Sequence, residues 1–292
     1  MSKYSWKDVV FYIVNCSTMI GFCLLIIYPV LYVVSRSVMT ETEKALRPFA
    51  LIPNQFELAA YRVILSKNSL VVNAYGTTVL RTIIGTFCNL LFTILFAYVL
   101  SKKYYPPRLI FTFILTFTMW FSGGLIPTYL LLRSLGFVNS FWVYIIPGLI
   151  SAWNTLIMRN FFMEMPDSLE ESAEIDGAND FQILFMIVLP LSKASLATIG
   201  LFYAVGHWNA WFDSMIYMNQ PTKWTLQFVL RQIITAASVK DIIQYTTSLD
   251  IAPPTQAVRM AAIVVSTVPI LAVYPFVQKY FVKGVLVGSI KG

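Results

Sequence analysis

The chain has 292 residues, of which 58% are hydrophobic and 12% charged, and a formal net charge of +7. Soluble domains run at roughly 45–50% apolar and 25% charged, so the composition excludes an ordinary soluble domain and indicates an integral membrane protein. The basic residues are scattered at the ends of apolar runs, as headgroups and topology require, and are not a nucleic-acid signal.

Residues 1–10 are polar and carry Lys3 and Lys7. The run 11–34 is broken only by Asn15, Ser17 and Thr18. It is too long for the apolar core of a signal peptide and no small-residue cleavage site follows, so it reads as a first transmembrane helix. Cys16, Cys23 and Cys88 all fall in apolar runs and read as small buried hydrophobes. Residues 35–72 are mixed. Within them NQFELAAYRVILS has the pattern of a short amphipathic surface helix, with Phe56, Ala60, Val63 and Ile64 on one side. The second span, 73–100, holds Arg81 about two turns from its start. A short basic loop, SKKYYPPR at 101–108, ends in a proline stop. The third span, 109–132, contains Gly123-Gly124 and Pro127, which mark a kink or a non-helical break. After the loop 133–140 comes the fourth span, 141–162, with Pro147 and Gly148 inside it.

The stretch 164–191 differs from everything around it. Glu164, Asp167, Glu170, Glu171, Glu174, Asp176 and Asp180 are half of the fourteen carboxylates. Such a segment stays in water. Pro166 stops the preceding helix. Asp167 is expected to cap a new one, with Glu170 completing a capping box and an acidic first turn matching the helix dipole. Leu169, Ser172 and Ala173 make a small stripe at helical spacing. Asp176-Gly177 is a stop signal, and Asn179 or Asp180 caps a second helix that runs apolar to Leu189 and halts near Pro190. The expected product is a helix, a turn and a helix.

Beyond it, 193–218 is the fifth span and the most polar, with His207, Trp208, Asn209, Trp211 and Asp213. Residues 219–257 form a long polar loop. The sixth span is 258–281, with Pro269 and Pro275, and 282–292 is a short basic tail. Six spans put both termini, the 101–108 loop and the acidic elbow on one side. The two sides carry equal numbers of Lys and Arg, but Lys102, Lys103 and Arg108 crowd one short loop while Arg133 stands alone opposite. That weighting places both termini in the cytoplasm.

The spacing Glu171-Ser172-Ala173, Gly177, Ile187, Leu189-Pro190 resembles the EAA motif of bacterial ABC-importer permeases, with Ser172 in place of the usual first alanine. Ile175-Asp176-Gly177-Ala178 and Leu189-Pro190-Leu191-Ser192 resemble its carbohydrate-uptake, maltose-permease-like branch. The resemblance implies an all-α polytopic permease of six spans in the bacterial cytoplasmic membrane. Its elbow residues Glu171, Ser172, Ala173, Glu174, Asp176, Gly177, Ile187, Leu189 and Pro190 would then couple to a separate ATPase. It also implies that the tail, with Lys283, Gly284 and Lys291, reaches that ATPase. The implied partners are a second homologous permease, two ATP-binding subunits and an extracellular solute-binding protein. The solute would be a carbohydrate, with an oligosaccharide favoured. No cofactor is expected in this chain, since ATP and Mg would sit in the partner.

The residues agree with a non-catalytic role. There is no phosphate-binding G-x-x-x-x-G-K-[ST], no H-E-x-x-H and no G-x-S-x-G, and a single histidine excludes a His-pair metal site. Arg81 and Asp213 are the intramembrane charges, which either line a solute path or contact a neighbouring helix. Trp208, Asn209 and Trp211 suit sugar faces and hydroxyls, yet also suit an interfacial aromatic belt. The alternatives are a permease for another solute, or an ion-coupled secondary transporter, whose inverted repeats the chain lacks.

Overall fold

The structure, a computed structural model, describes residues 5–67, 69–235 and 255–289; for residues 255, 274 and 276–289 it describes the backbone alone. Among the described residues every regular element is helical. The chain forms two compact units, Met1–Val72 with Leu230–Val268, and Asn73–Val229 with Pro269–Gly292.

In the first unit α1 (Trp6–Val38) opens on a capping box in which the Ser5 backbone N–H donates to Asp8. No residue of its most apolar stretch is buried. Cys16 and Cys23 stand on that open surface, so they are not core residues as their setting suggested. Arg36, buried at the end of α1, donates to the carbonyls of Lys44 and Pro48, which secures the loop after α2 (Glu41–Leu46). The expected amphipathic helix is α3 (Ala59–Ile64), which buries Ala60, Val63 and Ile64. Phe56 precedes the helix and is exposed, so it does not share that face.

The second unit is built on α4 (Leu70–Ser101), an unbroken 32-residue helix about 48 Å long at 1.5 Å per residue. Next come α5 (Arg108–Trp120) and α6 (Leu125–Ser134), bent by 117° where Gly123-Gly124 interrupts the helix. Two tight turns, Phe141–Tyr144 and Ile146–Gly148, lead to α7 (Ala152–Met163) at 50°. Ser151 caps α7 by accepting from the Asn154 backbone. The acidic segment is α8 (Asp167–Ile175) and α9 (Asp180–Leu191). Then α10 (Lys193–Asn209) leaves α9 at 85° and is followed by α11 (Phe212–Tyr217).

As expected, α9 ends near Pro190, at Leu191, and a π-helical turn at Leu184–Val188 widens it just before that proline. The proline ring crowds the carbonyl four residues back, that of Met186, which lies in the widened turn. The stretch 193–218 is not one helix, because it breaks at Ala210 and Trp211. Ala210 spends its carbonyl on the Thr225 hydroxyl, 2.9 Å away, instead of on the next helical turn. Finally, the loop expected at 219–257 contains α12 (Leu226–Thr235), and residues 236–254 lie outside the described part.

The last helix, α13 (Thr255–Ser289), takes in both Pro269 and Pro275 and most of the expected tail. Lys283 and Gly284 are therefore helical in backbone, and Lys291 lies outside the described residues. Among the described residues three helices are long and apolar enough to cross a membrane, and up to six spans result if each bent pair counts as one.

Candidate functional site

The acidic elbow is held from two sides. Asp167 does not cap α8; Pro166 occupies the cap position, and Asp167 lies in the first turn. Its carboxylate pairs instead with Lys103 Nζ at 2.7 Å, and Glu170 pairs with Lys102. A cation from the preceding basic loop thus replaces the backbone N–H as the acceptor's partner. Lys102 is buried, and its Nζ lies 4.0 Å from the centre of the Tyr98 ring. Tyr104 donates its hydroxyl to Asp180 at 3.1 Å. That bond and burial raise the Tyr104 phenol above its ordinary pKa, burial being the larger cause.

The turn between the helices is set by Gly177, whose φ of +84° suits glycine. The Ala178 N–H returns to the Ala173 carbonyl and the Gly177 N–H to the Glu174 carbonyl, a Schellman closure of α8. Of the two cap candidates for α9, Asn179 is the one used: it accepts from the Gln182 backbone at 3.0 Å while Gln182 accepts from its own. Ala173 and Ala178 face inward, onto a core of Ala97, Tyr98, Met158, Phe162, Ile183 and Leu184. Ala173 thus packs the elbow on its own chain while remaining partly exposed. Leu189 joins the same core. Ile187 is half-buried and Pro190 exposed. The open face carries Glu171, Ser172, Glu174 and Asp176, with Ile175 86% exposed and Phe181 68% exposed beside them.

A second site lies within the same unit. A cavity of about 350 Å³ is lined by Arg81, Asn89, His207 and Asp213 among aromatic and aliphatic groups. Arg81 pairs with Asp213 at 2.5 Å and places its guanidinium 4.5 Å from the centre of the Tyr144 ring. Arg81 Nε also donates to His207 Nδ1 at 3.3 Å, which fixes the proton on His207 Nε2. That nitrogen donates to Asn89 Oδ1 at 2.7 Å, and Asn89 in turn donates to the carbonyls of Gly148 and Leu149. The imidazole reaches α4 only because residue 85 is glycine: a Cβ there would stand 2.4 Å from His207 Nε2. Tyr144, Phe202, Tyr203 and Tyr217 supply flat apolar faces. Such a mixture of rings, amide and carboxylate suits a ligand with both C–H faces and hydroxyls.

The structure thus joins Arg81 and Asp213, which the sequence offered separately. Trp208, Asn209 and Trp211 do not line the cavity. Trp208 packs edge-on against Tyr75 at 5.8 Å, Trp211 against Phe212 at 5.6 Å, and Asn209 is exposed. Asn89, Tyr144 and the Lys102–Glu170 pair were missed in the sequence. The lysine and the glutamate of that pair were each visible, but nothing local pairs residues 68 apart. Among the described residues no group of three His, Cys, Asp or Glu is placed to hold a metal.

Comparison with known proteins assigns the arrangement. The model of the binding-protein-dependent transport system inner membrane component matches residues 79–287. The polygalacturonan/rhamnogalacturonan transport system permease protein YtcP of Bacillus subtilis (strain 168) is 44% identical over 271 residues, 93% of this chain and 94% of that protein. Protein LplC of the same organism is 42% identical over 283 residues, 97% of this chain and 95% of that protein. A solved chain of a bacterial ABC transporter involved in the import of the acidic polysaccharide alginate superposes with a TM-score of 0.85 at 35% identity, covering 96% of this chain and all of that one. YtcP and the superposed chain are named as parts of transport systems. With two thirds of its length inside the family model, the chain belongs to the binding-protein-dependent transport system inner membrane components.

Proposed function

We propose that this chain is one permease subunit of an ATP-driven importer in the bacterial cytoplasmic membrane, and that its solute is an acidic oligosaccharide. It crosses the membrane six times with both termini in the cytoplasm, each bent helix pair serving as one span. It forms half of the path together with a second, homologous permease. Two ATP-binding subunits work the elbow from the cytoplasmic side, and an extracellular binding protein delivers the solute.

The observation that carries the solute class is the agreement of two relatives. YtcP is named for polygalacturonan and rhamnogalacturonan, and the superposed transporter imports alginate. The cavity at Arg81 and Asp213 supports a carbohydrate path, because its tyrosine faces and polar groups match what a sugar ring offers. The exposed face of α8, with Glu171, Glu174 and Ile175, supports the elbow as the ATPase contact. Lys283, Gly284 and Lys291 are proposed to face the same partner.

The test is uptake of labelled galacturonate oligomers by proteoliposomes holding the whole importer with its binding protein. The reading expects uptake that needs ATP and is not matched by neutral glucose oligomers. ATP-driven uptake confined to neutral oligomers would remove the acidic class, and uptake driven by a proton or sodium gradient would remove the importer.

A further inference from the structure

The elbow is joined to the rest of its unit in two different ways. Along the chain its connections are bent: Pro166 separates α7 from α8, and α9 meets α10 at 85°. Across space the elbow shares a core with α4, α7 and α10, but its carboxylates are held at the end of α4, by three consecutive residues. Lys102 and Lys103 grip α8 through Glu170 and Asp167, and Tyr104 grips α9 through Asp180. Beneath this polar clasp, Ala97 and Tyr98 of α4 share a core with Ile183, Leu184 and Val188 of α9. The Lys102 ammonium is buried between the Glu170 carboxylate and the Tyr98 ring, so removing either charge strands the other with little water to replace it.

From that clasp α4 runs unbroken to the cavity. Thr93 shares a hydrogen bond with Tyr203 of α10 at 2.7 Å, Asn89 holds Gly148, Leu149 and His207, and Arg81 holds Asp213. The distance from Lys102 to Arg81 is about 30 Å along the helix axis, the thickness of a bilayer's apolar core.

We infer that Lys102 is a positioning residue for coupling: through Glu170 it makes α4 the rod that carries a displacement of the elbow to the cavity. The inference rests on reading the elbow as the ATPase contact. A continuous helix with fixed partners at both ends can transmit a displacement from one to the other.

The experiment uses the complete importer in proteoliposomes, comparing wild type with Lys102→Ala, Glu170→Gln and the exchanged pair Lys102→Glu/Glu170→Lys. Three quantities are read: co-purification of the ATPase, ATP hydrolysis, and uptake of galacturonate oligomers per ATP. The single variants should retain the ATPase and its hydrolysis while uptake per ATP falls about threefold to thirtyfold. The exchanged pair should recover to within about twofold of wild type. Glu170→Gln keeps the side-chain shape and serves if Lys102→Ala does not fold. A readout that needs no solute is available in Cys88, which lies on α4 between the two ends. With Cys16 and Cys23 replaced, ATP with vanadate should change the labelling rate of Cys88 in wild type and leave it unchanged in Glu170→Gln. The inference is overturned if uptake per ATP is unchanged in both single variants, if the ATPase is lost in step with uptake, if the exchanged pair recovers nothing, or if Cys88 responds equally in Glu170→Gln. Galacturonate uptake absent from wild type, with the Cys88 response intact, would count against the solute and leave the rod standing.

Discussion

At Gly85 a single missing atom admits the His207 ring to α4. Gly85→Ala forces the ring or the helix to move, an overpacking cost of about 1–3 kcal/mol. Thermal unfolding in detergent should show a clear loss relative to Gly76→Ala, where a Cβ meets nothing within 4 Å. Equal melting of the two variants would mean that the ring relaxes freely. The Arg81–Asp213 pair permits a sharper separation of roles. Asp213→Ala leaves a buried guanidinium without its counter-charge, a loss on the order of 1–3 kcal/mol because the carboxylate side of the pair is partly open to solvent. Replacing both, Arg81→Met with Asp213→Leu, removes the stranded charge and should restore most of the stability. Transport should remain low in that double variant if the pair meets solute; normal transport would make the pair structural only. The two charges were legible as intramembrane oddities, but their pairing was not. They are 132 residues apart, and which helices meet is a tertiary fact that no local spacing encodes.

The elbow is the element whose shape was most readable. Asp176-Gly177 after a short polar helix, then Asn179 before an apolar run, are local signals, and local hydrogen bonds realise them. What local logic got wrong was Asp167, because Lys103 offers its carboxylate a full charge. The break at Ala210 was invisible for the opposite reason: no glycine or proline marks it, and its partner, Thr225, arrives with the segment that folds back. Gly177→Leu tests the turn itself. A Cβ there meets open space, so the cost is confined to the backbone, about 1–2 kcal/mol for a left-handed residue. The chain should still insert while ATP-driven uptake falls, since the angle between α8 and α9 is no longer held. Uptake at the wild-type level would remove the turn from the coupling account.

On the scale of the molecule, the bare apolar length of α1 fits a helix that faces lipid. Composition gave the membrane class because burying so much apolar surface in water-soluble form needs more charge than the chain has. The family followed from the elbow spacing. Sidedness depends on a weaker signal, since Lys and Arg divide equally between the two faces and the short basic loop decides. That loop also supplies the clasp on the elbow, so the orientation argument and the coupling proposal share Lys102 and Lys103. The most direct test places a cysteine at Ile175, the most exposed apolar residue of the elbow, in a chain with Cys16, Cys23 and Cys88 replaced. A membrane-impermeant maleimide should leave Ile175→Cys untouched in sealed cells and label it in inverted vesicles, with labelling suppressed when the ATPase is bound. Labelling in sealed cells would put the elbow on the outer surface and contradict the account.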